Sequence, residues 1–158
     1  MSEQEKKDEV KLAKIELGKD YTATISLDYK DKDKENVERV LRLKFKVHVP
    51  TIKEDLKISI KEEEILGKRT SDIIINLAAR MLATLDTVID EIYYVSDDNV
   101  LNKFDGKFLT LVDNIKQIGK FYNEIVIPLY NEYMKFQKSL DDTGFDELKN
   151  LLAQTGKN

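Results

Sequence analysis

The chain has 158 residues, a length typical of one domain with a real hydrophobic core. Charged residues make up 35% of it and give a net charge of -4, with lysines spread among acids, which argues against nucleic-acid binding through a broad basic surface. Cysteine is absent, which excludes disulfides and thiolate metal ligands. No apolar run approaches the roughly 20 residues of a membrane span, and the polar N-terminus is unlike a signal peptide.

The N-terminal part of the chain predicts a tail followed by strands. Residues 1–9 are dense in mixed charge and predict a disordered tail, and residues 10–66 predict a β-rich half. YTATISLDY (21–29) and VLRLKFKVHV (40–49) alternate apolar and polar residues, as half-buried antiparallel strands do. The polar KDKDKEN between them predicts a hairpin tip, and Pro50 should end the second strand.

Two further strands are predicted from shorter patterns. In LKISI, Leu56, Ile58 and Ile60 are in phase with a period of two, which favours a strand. LAKIEL (12–17) favours another strand before the first hairpin. The N-terminal half should therefore contain three to four strands.

Residues 67–158 predict a helical half, because the apolar period changes to alternating steps of four and three. A first helix is expected from about 71 to 94, with Thr70 and Ser71 as possible N-caps. Its apolar stripe consists of Ile74, Ala78, Met81, Leu85, Val88, Ile92 and Val95. SDDN (96–99) should end this helix and cap a short turn around VLNKF, and Asp105-Gly106 predicts a loop.

A second stripe begins at Phe108 and continues past Pro128 to Leu140. Pro128 lacks a backbone donor and crowds the carbonyl of Glu124, and it should push Ile127 out of helical dihedrals. We therefore expect a kink or short break near 125–128 with helix on either side. Thr143 and Asp146 resemble a capping box that opens a last short helix.

Together these elements predict an α+β protein, with an N-terminal antiparallel sheet of three to four strands and a C-terminal helical bundle that contains a Pro-kinked helix. The two halves should form one unit, although two small subdomains hinged near Gly67 would give the same pattern.

Catalytic signatures are missing from the sequence. His48 is the only histidine and lies on the polar side of a predicted strand, so a solvent-facing residue is favoured over a general base. No nucleophile elbow, phosphate-binding loop or EF-hand pattern occurs. The acidic runs KEEEIL (61–66) and SDDN are interpreted as solvated surface rather than cation sites. We expect no enzyme activity, no metal and no cofactor.

Aromatic residues are concentrated in one part of the chain. Their first interpretation is as core residues that pack against the 71–94 helix and the sheet. Phe121 and Tyr130 lie beside the apolar stripe and widen it, which suggests a second role as a contact surface for another copy or for a partner helix. The candidate partner-binding residues are Phe121, Tyr122, Tyr130, Tyr133 and Phe136.

The order of motifs resembles the tail assembly chaperones of long-tailed bacteriophages. The resemblance rests on a β-rich start, a strand ending in VPTIKEDLKI, a helix with LATLDTVIDE and a C-terminal LYNEYMKFQKSL, and it covers about Leu43 to Leu140. The N-terminal tail and the KDKDKEN hairpin have no counterpart in that family.

The resemblance implies a non-enzymatic protein of the bacterial host cytoplasm. Such chaperones coat the helices of the tape measure protein, help to recruit tail tube subunits and are commonly homo-oligomeric. From its charge and the absence of a long apolar run, we expect neither nucleic acid nor membrane among the partners of this chain. Two alternatives stay open: a stable virion component of the neck, tail or baseplate, and a small enzyme of unrecognised type.

Overall fold

The computed structural model describes residues 14–17, 21–32, 34–67, 73–95, 98–116 and 118–155. The strands are β1 (Lys14–Leu17), β2 (Thr22–Lys32), β3 (Glu38–His48), β4 (Ile89–Val95) and β5 (Leu101–Lys103). The helices are α1 (Ile52–Leu66), α2 (Ile73–Val88), α3 (Phe108–Asp113), α4 (Ile118–Phe121) and α5 (Ile127–Thr155), with a π-helical turn (Tyr122–Val126) between the last two. The predicted tail, residues 1–9, and the possible N-caps Thr70 and Ser71 lie outside the described residues.

The sheet is an antiparallel meander whose strands are neighbours in the order of the chain. This confirms the predicted α+β class with an antiparallel sheet near the N-terminus. The two predicted long strands are present as β2 and β3, and the predicted short strand before them is present as β1. The sheet also contains β4 and β5, which come from the part of the chain where helices and turns were predicted.

One face of the sheet supplies much of the hydrophobic core. Ile25, Phe45 and Ile92 are aligned across β2, β3 and β4, and all three side chains are buried. Alternation along each strand places the polar neighbours on the opposite face. The core is closed by helical residues, including Leu85 of α2 and Tyr133 of α5. The sheet and helices therefore share one core, as layered α+β architectures do.

The segment predicted as a third strand, LKISI, is helical, and that prediction is wrong. It lies in α1, which begins directly after Thr51. The Glu54 N–H donates to the Thr51 hydroxyl at 3.2 Å, and the Thr51 N–H donates to the Glu54 carboxylate at 3.2 Å. This reciprocal capping box satisfies two backbone donors and fixes the start of the helix.

The helix predicted from about 71 to 94 is shorter than expected. Its described part ends at Val88, and the next seven residues, IDEIYYV, form β4 instead of the last two helical turns. β-Branched and aromatic residues favour an extended backbone, and β4 gains a hydrogen-bonded neighbour in β3. The expected turn around VLNKF contains β5, which pairs with β4. The loop predicted at Asp105-Gly106 is confirmed.

Pro128 neither breaks the helix nor displaces the residue before it. Ile127 has helical dihedrals, with φ -63° and ψ -51°, so the expected departure from helix at this residue is wrong. Its N–H donates to the carbonyl of Tyr122, five residues back, which makes the preceding turn π-helical. The wider turn ends where Pro128 has no N–H to contribute.

The C-terminal helix is continuous. α5 runs for 29 residues to Thr155, through the position at which Thr143 was expected to open a separate helix, so that prediction is also wrong. The helical stripe that begins at Phe108 is instead interrupted earlier, where Asn114 ends α3.

Candidate functional site

The outer face of α1 carries three exposed aliphatic side chains. Ile52, Leu56 and Ile60 are 84%, 64% and 58% exposed, and their spacing of four residues aligns them along the helix. The one buried side chain of α1, Ile58, lies on the opposite side. We refer to Ile52, Leu56 and Ile60 as the α1 outer row. Large aliphatic residues aligned on a solvent-facing helix surface are typical of a contact surface for another protein.

The inner face of α1 covers a small apolar patch on α2. Ile58, Ala79 and Ala83 are buried but do not belong to the main core cluster. α2 therefore has two packing sides, one toward the sheet through Met81 and Leu85 and one toward α1. The alanines have short side chains, which allow two helix backbones to approach closely. Among the described elements, α1 packs extensively only along α2.

A histidine cluster holds the N-terminal end of α1. His48, the last residue of β3, lies 2.7 Å through Nε2 from Oε2 of Glu54 and 2.8 Å through Nδ1 from Oδ1 of Asp90. Its side chain is 22% exposed, so the interpretation of His48 as a solvent-facing residue is wrong. We refer to His48, Glu54 and Asp90 as the histidine latch, because they join α1 to β3 and β4.

The latch favours a protonated imidazole. Partial burial by itself lowers the pKa of His48, but the hydrogen bonds to Glu54 and Asp90 and their negative charges outweigh it, so this pKa is raised. Burial opposes ionisation of Glu54 too, yet its hydrogen bonds to His48 and Thr51 leave its pKa lowered. Both ring nitrogens face carboxylates, so the protonated ring can link α1 to the sheet and has no free nitrogen lone pair with which to accept a proton from a substrate.

A buried carboxylate fixes the middle of α1. Asp86 of α2 is almost completely buried; its Oδ2 accepts a hydrogen bond from Lys61 at 2.6 Å, and its Oδ1 accepts one from the Leu109 N–H at 2.9 Å. One side chain thereby connects α1, α2 and the first turn of α3. A buried ion requires such partners, because desolvation of an unpaired carboxylate is costly.

A third polar contact lies farther along the two helices. Arg80 of α2 pairs with Glu62 of α1 at 3.3 Å and contacts the Ser59 hydroxyl at 3.4 Å. Glu54 near the start of α1 and Asp90 beyond the end of α2 contact the same histidine, whereas Glu62 near the end of α1 contacts Arg80 in the middle of α2, so the two helices are antiparallel. The acidic run KEEEIL is thus the last part of α1, and Glu62 is one of its residues with a defined partner.

A shallow cavity of about 360 Å³ opens between α1, α2 and the loop before α3. Its charged lining residues are Glu54, Glu64, Asp86, Lys57, Lys61 and Lys107. The equal numbers of acidic and basic side chains, two of which already pair with each other, give the cavity no preference for an anion or a cation. The described residues contain no group of three or more acidic or histidine side chains arranged to hold a metal ion.

The aromatic residues predicted from the sequence lie mainly in the core. Phe121, Tyr133 and Phe136 are buried, whereas Tyr122 and Tyr130 are half-buried against the core cluster. The Phe121 ring contacts Tyr29 of β2, with the ring centroids 6.0 Å apart. The structure therefore brings all five residues to the same core, and three of them present almost no surface to a partner.

The α1 outer row was not predicted from the sequence, because the apolar and polar residues of LKISI alternate as those of a strand do. A correct signal was present in TIKE, in which Thr51 and Glu54 have the spacing of a capping box. The latch had no comparable signal, since its three residues come together only when β3, α1 and β4 pack.

The fold and this surface define an α+β protein with a long-stranded antiparallel sheet and an apolar helix face on its exterior. No protein-family model matches the chain, and no match was found among curated proteins or solved structures. None of the helices in the described part of the chain is both long and apolar enough to cross a membrane.

Proposed function

We propose that this protein is a non-enzymatic assembly chaperone of a tailed bacteriophage, which binds another tail protein through the α1 outer row. It acts in the cytoplasm of the bacterial host, and its partners are the tape measure protein and tail tube subunits. The phage setting and these partners come from the sequence resemblance. The choice of α1 as the binding surface rests on the exposure of its outer row.

The observation that carries the proposal is the exposure of Ile52, Leu56 and Ile60 on one line of α1. An aliphatic row of this kind lowers solubility unless another protein covers it for part of the time. It suits an amphipathic helix, which buries its own apolar stripe by lying along the row. Helices of that type are what a tape measure protein would present before the tail tube forms.

The α1 outer row replaces the aromatic cluster as the centre of the proposed surface. Phe121, Tyr133 and Phe136 stabilise the core, and a partner could reach only the exposed parts of Tyr122 and Tyr130 without unfolding. A partner-binding role for the aromatic residues stays a prediction, separate from the one made for α1.

A pair of matched substitutions tests the proposal. Leu56→Glu places a charge in the centre of the row, while Met134→Glu makes the same kind of change on α5, at an apolar residue that is 42% exposed and has Asn131 and Lys138 one turn away. We expect the Leu56→Glu variant to lose at least tenfold in affinity for co-expressed tail proteins, because a buried charge is costly at an interface. The Met134→Glu variant should bind as the unchanged protein does.

Both variants should remain folded, since each side chain is exposed, and circular dichroism would check this. Normal capture of tail proteins by Leu56→Glu in a pull-down would contradict the proposed surface. No association of the unchanged protein with any tail protein would contradict the chaperone function itself.

Purified phage particles distinguish a chaperone from a virion component. A chaperone leaves before the tail is complete, so we expect the protein in lysates and not in particles. Detection in particles at a fixed copy number would favour the alternative of a neck, tail or baseplate component.

A further inference from the structure

We infer that α1 opens as a unit from the rest of the fold, that the histidine latch controls this opening through the protonation of His48, and that opening uncovers a second apolar surface formed by Ile58, Ala79 and Ala83. This device goes beyond the proposed function, because it concerns the isolated chain and requires no partner.

Little apolar contact holds α1 in place. Of its fifteen residues, Ile58 is the buried one, and the patch that it covers lies outside the main core. Burial of one such side chain supplies only a small part of the stability of a domain. Segments with few buried apolar contacts open locally at a lower free energy than the whole molecule unfolds. The sheet and α5 can therefore stay folded when α1 leaves.

Polar contacts supply the remaining attachment of α1. Lys61 with Asp86 and Arg80 with Glu62 join α1 to α2, and the histidine latch joins the beginning of α1 to the sheet. The latch is the contact among these that includes a group which titrates near neutral pH. Its state should therefore set the pH dependence of the opening.

The groups around His48 define the direction of that dependence. Glu54 approaches it from α1 and Asp90 from β4, both as acceptors for a protonated ring. α5 presents the hydroxyl of Tyr133, which lies 3.4 Å from the His48 carbonyl and not at the ring. The pKa of Tyr133 is raised by burial first and then by the nearby charges of Asp55 and Glu54, so this phenol stays neutral.

The raised pKa of His48 determines the direction in which the docking of α1 changes with pH. In the open form the ring keeps Asp90 of β4 but loses Glu54, so its pKa falls toward its ordinary value, and below this lower pKa the ring is charged whether α1 is docked or open. The contacts of the protonated ring then hold α1 most strongly. As pH rises through the higher pKa of the docked form, the ring loses its proton, one nitrogen lone pair faces a carboxylate, and docking weakens.

Hydrogen exchange measured on the unchanged protein tests this inference. Between about pH 6 and pH 9, protection factors of α1 amides, corrected for intrinsic exchange, should fall by about tenfold for each unit by which docking raises the pKa of His48. Amides of the paired strands β2 and β3 should stay protected over the same range. Constant protection of α1, or an equal fall in α1 and the sheet, would overturn the inference.

Two variants assign the effect to the latch. Glu54→Gln removes the charge that faces His48 but keeps a side chain that can complete the capping box. It should flatten the pH dependence of α1, as should His48→Gln. Arg42 lies on the same strand as His48, and Arg42→Gln breaks its exposed ion pair with Asp28 of β2, so it is the matched control that should keep the full dependence. A full pH response in Glu54→Gln would contradict the role of the latch.

The single histidine allows a direct second measurement. Its ring protons give one set of NMR signals, so the pKa of His48 can be followed without assignment by mutation. We expect this pKa above 6.5 in the unchanged protein and lower in Glu54→Gln. A pKa at or below 6.5 in the unchanged protein would overturn the latch even if α1 exchanged rapidly.

Discussion

At the scale of single residues, one buried carboxylate has a larger structural role than any of the exposed charges. Asp86 accepts hydrogen bonds from Lys61 and from the Leu109 N–H, and its side chain is only 3% exposed. Asp28, by contrast, pairs with Arg42 on the surface, where water screens the charges. Exposed pairs contribute roughly 0–1 kcal/mol, whereas loss of a buried partner leaves other groups unsatisfied.

Replacement of Asp86 should therefore be costly. We expect Asp86→Ala to lower the free energy of unfolding by about 2–4 kcal/mol, because it leaves the Lys61 ammonium and a backbone N–H without their acceptor. Asp28→Ala, the control, should change it by less than about 1 kcal/mol. Urea denaturation would measure both values, and equal values for the two variants would refute the role given to Asp86.

At the scale of elements, α1 depends on the way it begins. The hydroxyl of Thr51 accepts the Glu54 N–H, and Glu54 also belongs to the histidine latch. The start of the helix and its attachment to the sheet are thus coupled through one glutamate. A change at the cap should alter α1 before it alters the sheet.

Thr51→Ala tests this coupling. Loss of an N-cap hydroxyl costs about 1 kcal/mol, so we expect protection of α1 amides from hydrogen exchange to fall roughly fivefold. Thr51→Ser retains the acceptor and should behave as the unchanged protein does. If the alanine and serine variants exchanged alike in α1, the cap would have no part in holding the helix.

The elements also show which sequence patterns were sufficient to predict secondary structure. β2 and β3 were predictable because their alternation runs over many residues, and each has a wet face and a buried face. α1 was not, since Leu56, Ile58 and Ile60 fit a strand as well as a helix over so short a window. In α1, Leu56 and Ile60 point outward and Ile58 points inward. Interpretation of the segment as a strand therefore also concealed the outer row.

Longer-range pairing accounts for the other differences. Ile92 continues the heptad spacing of α2, and it is buried as that spacing predicted, but on a strand. Its position is determined by the pairing of β4 with β3, which a local pattern does not reveal. At Pro128 the expectation that a proline pushes the preceding residue out of helical dihedrals failed for a different reason. A π-helical turn accommodated the proline within one helix.

At the scale of the whole molecule, a stable core is combined with a loosely attached helix. The sheet, α2 and α5 share one core cluster, whereas α1 covers its own small patch and exposes the outer row. Such a division lets a binding surface change without loss of the fold. It is consistent with a protein that holds a partner for a limited time and then releases it.

Site-specific photocrosslinking in a phage-producing host is the most direct test of the proposed binding surface. A photoreactive residue at position 56 lies in the centre of the α1 outer row, and the same residue at position 134, an exposed site on α5, is the control. We expect position 56 to crosslink to another tail protein and position 134 not to do so. Crosslinks from position 134 alone, or none from position 56 while tails assemble normally, would contradict the proposal.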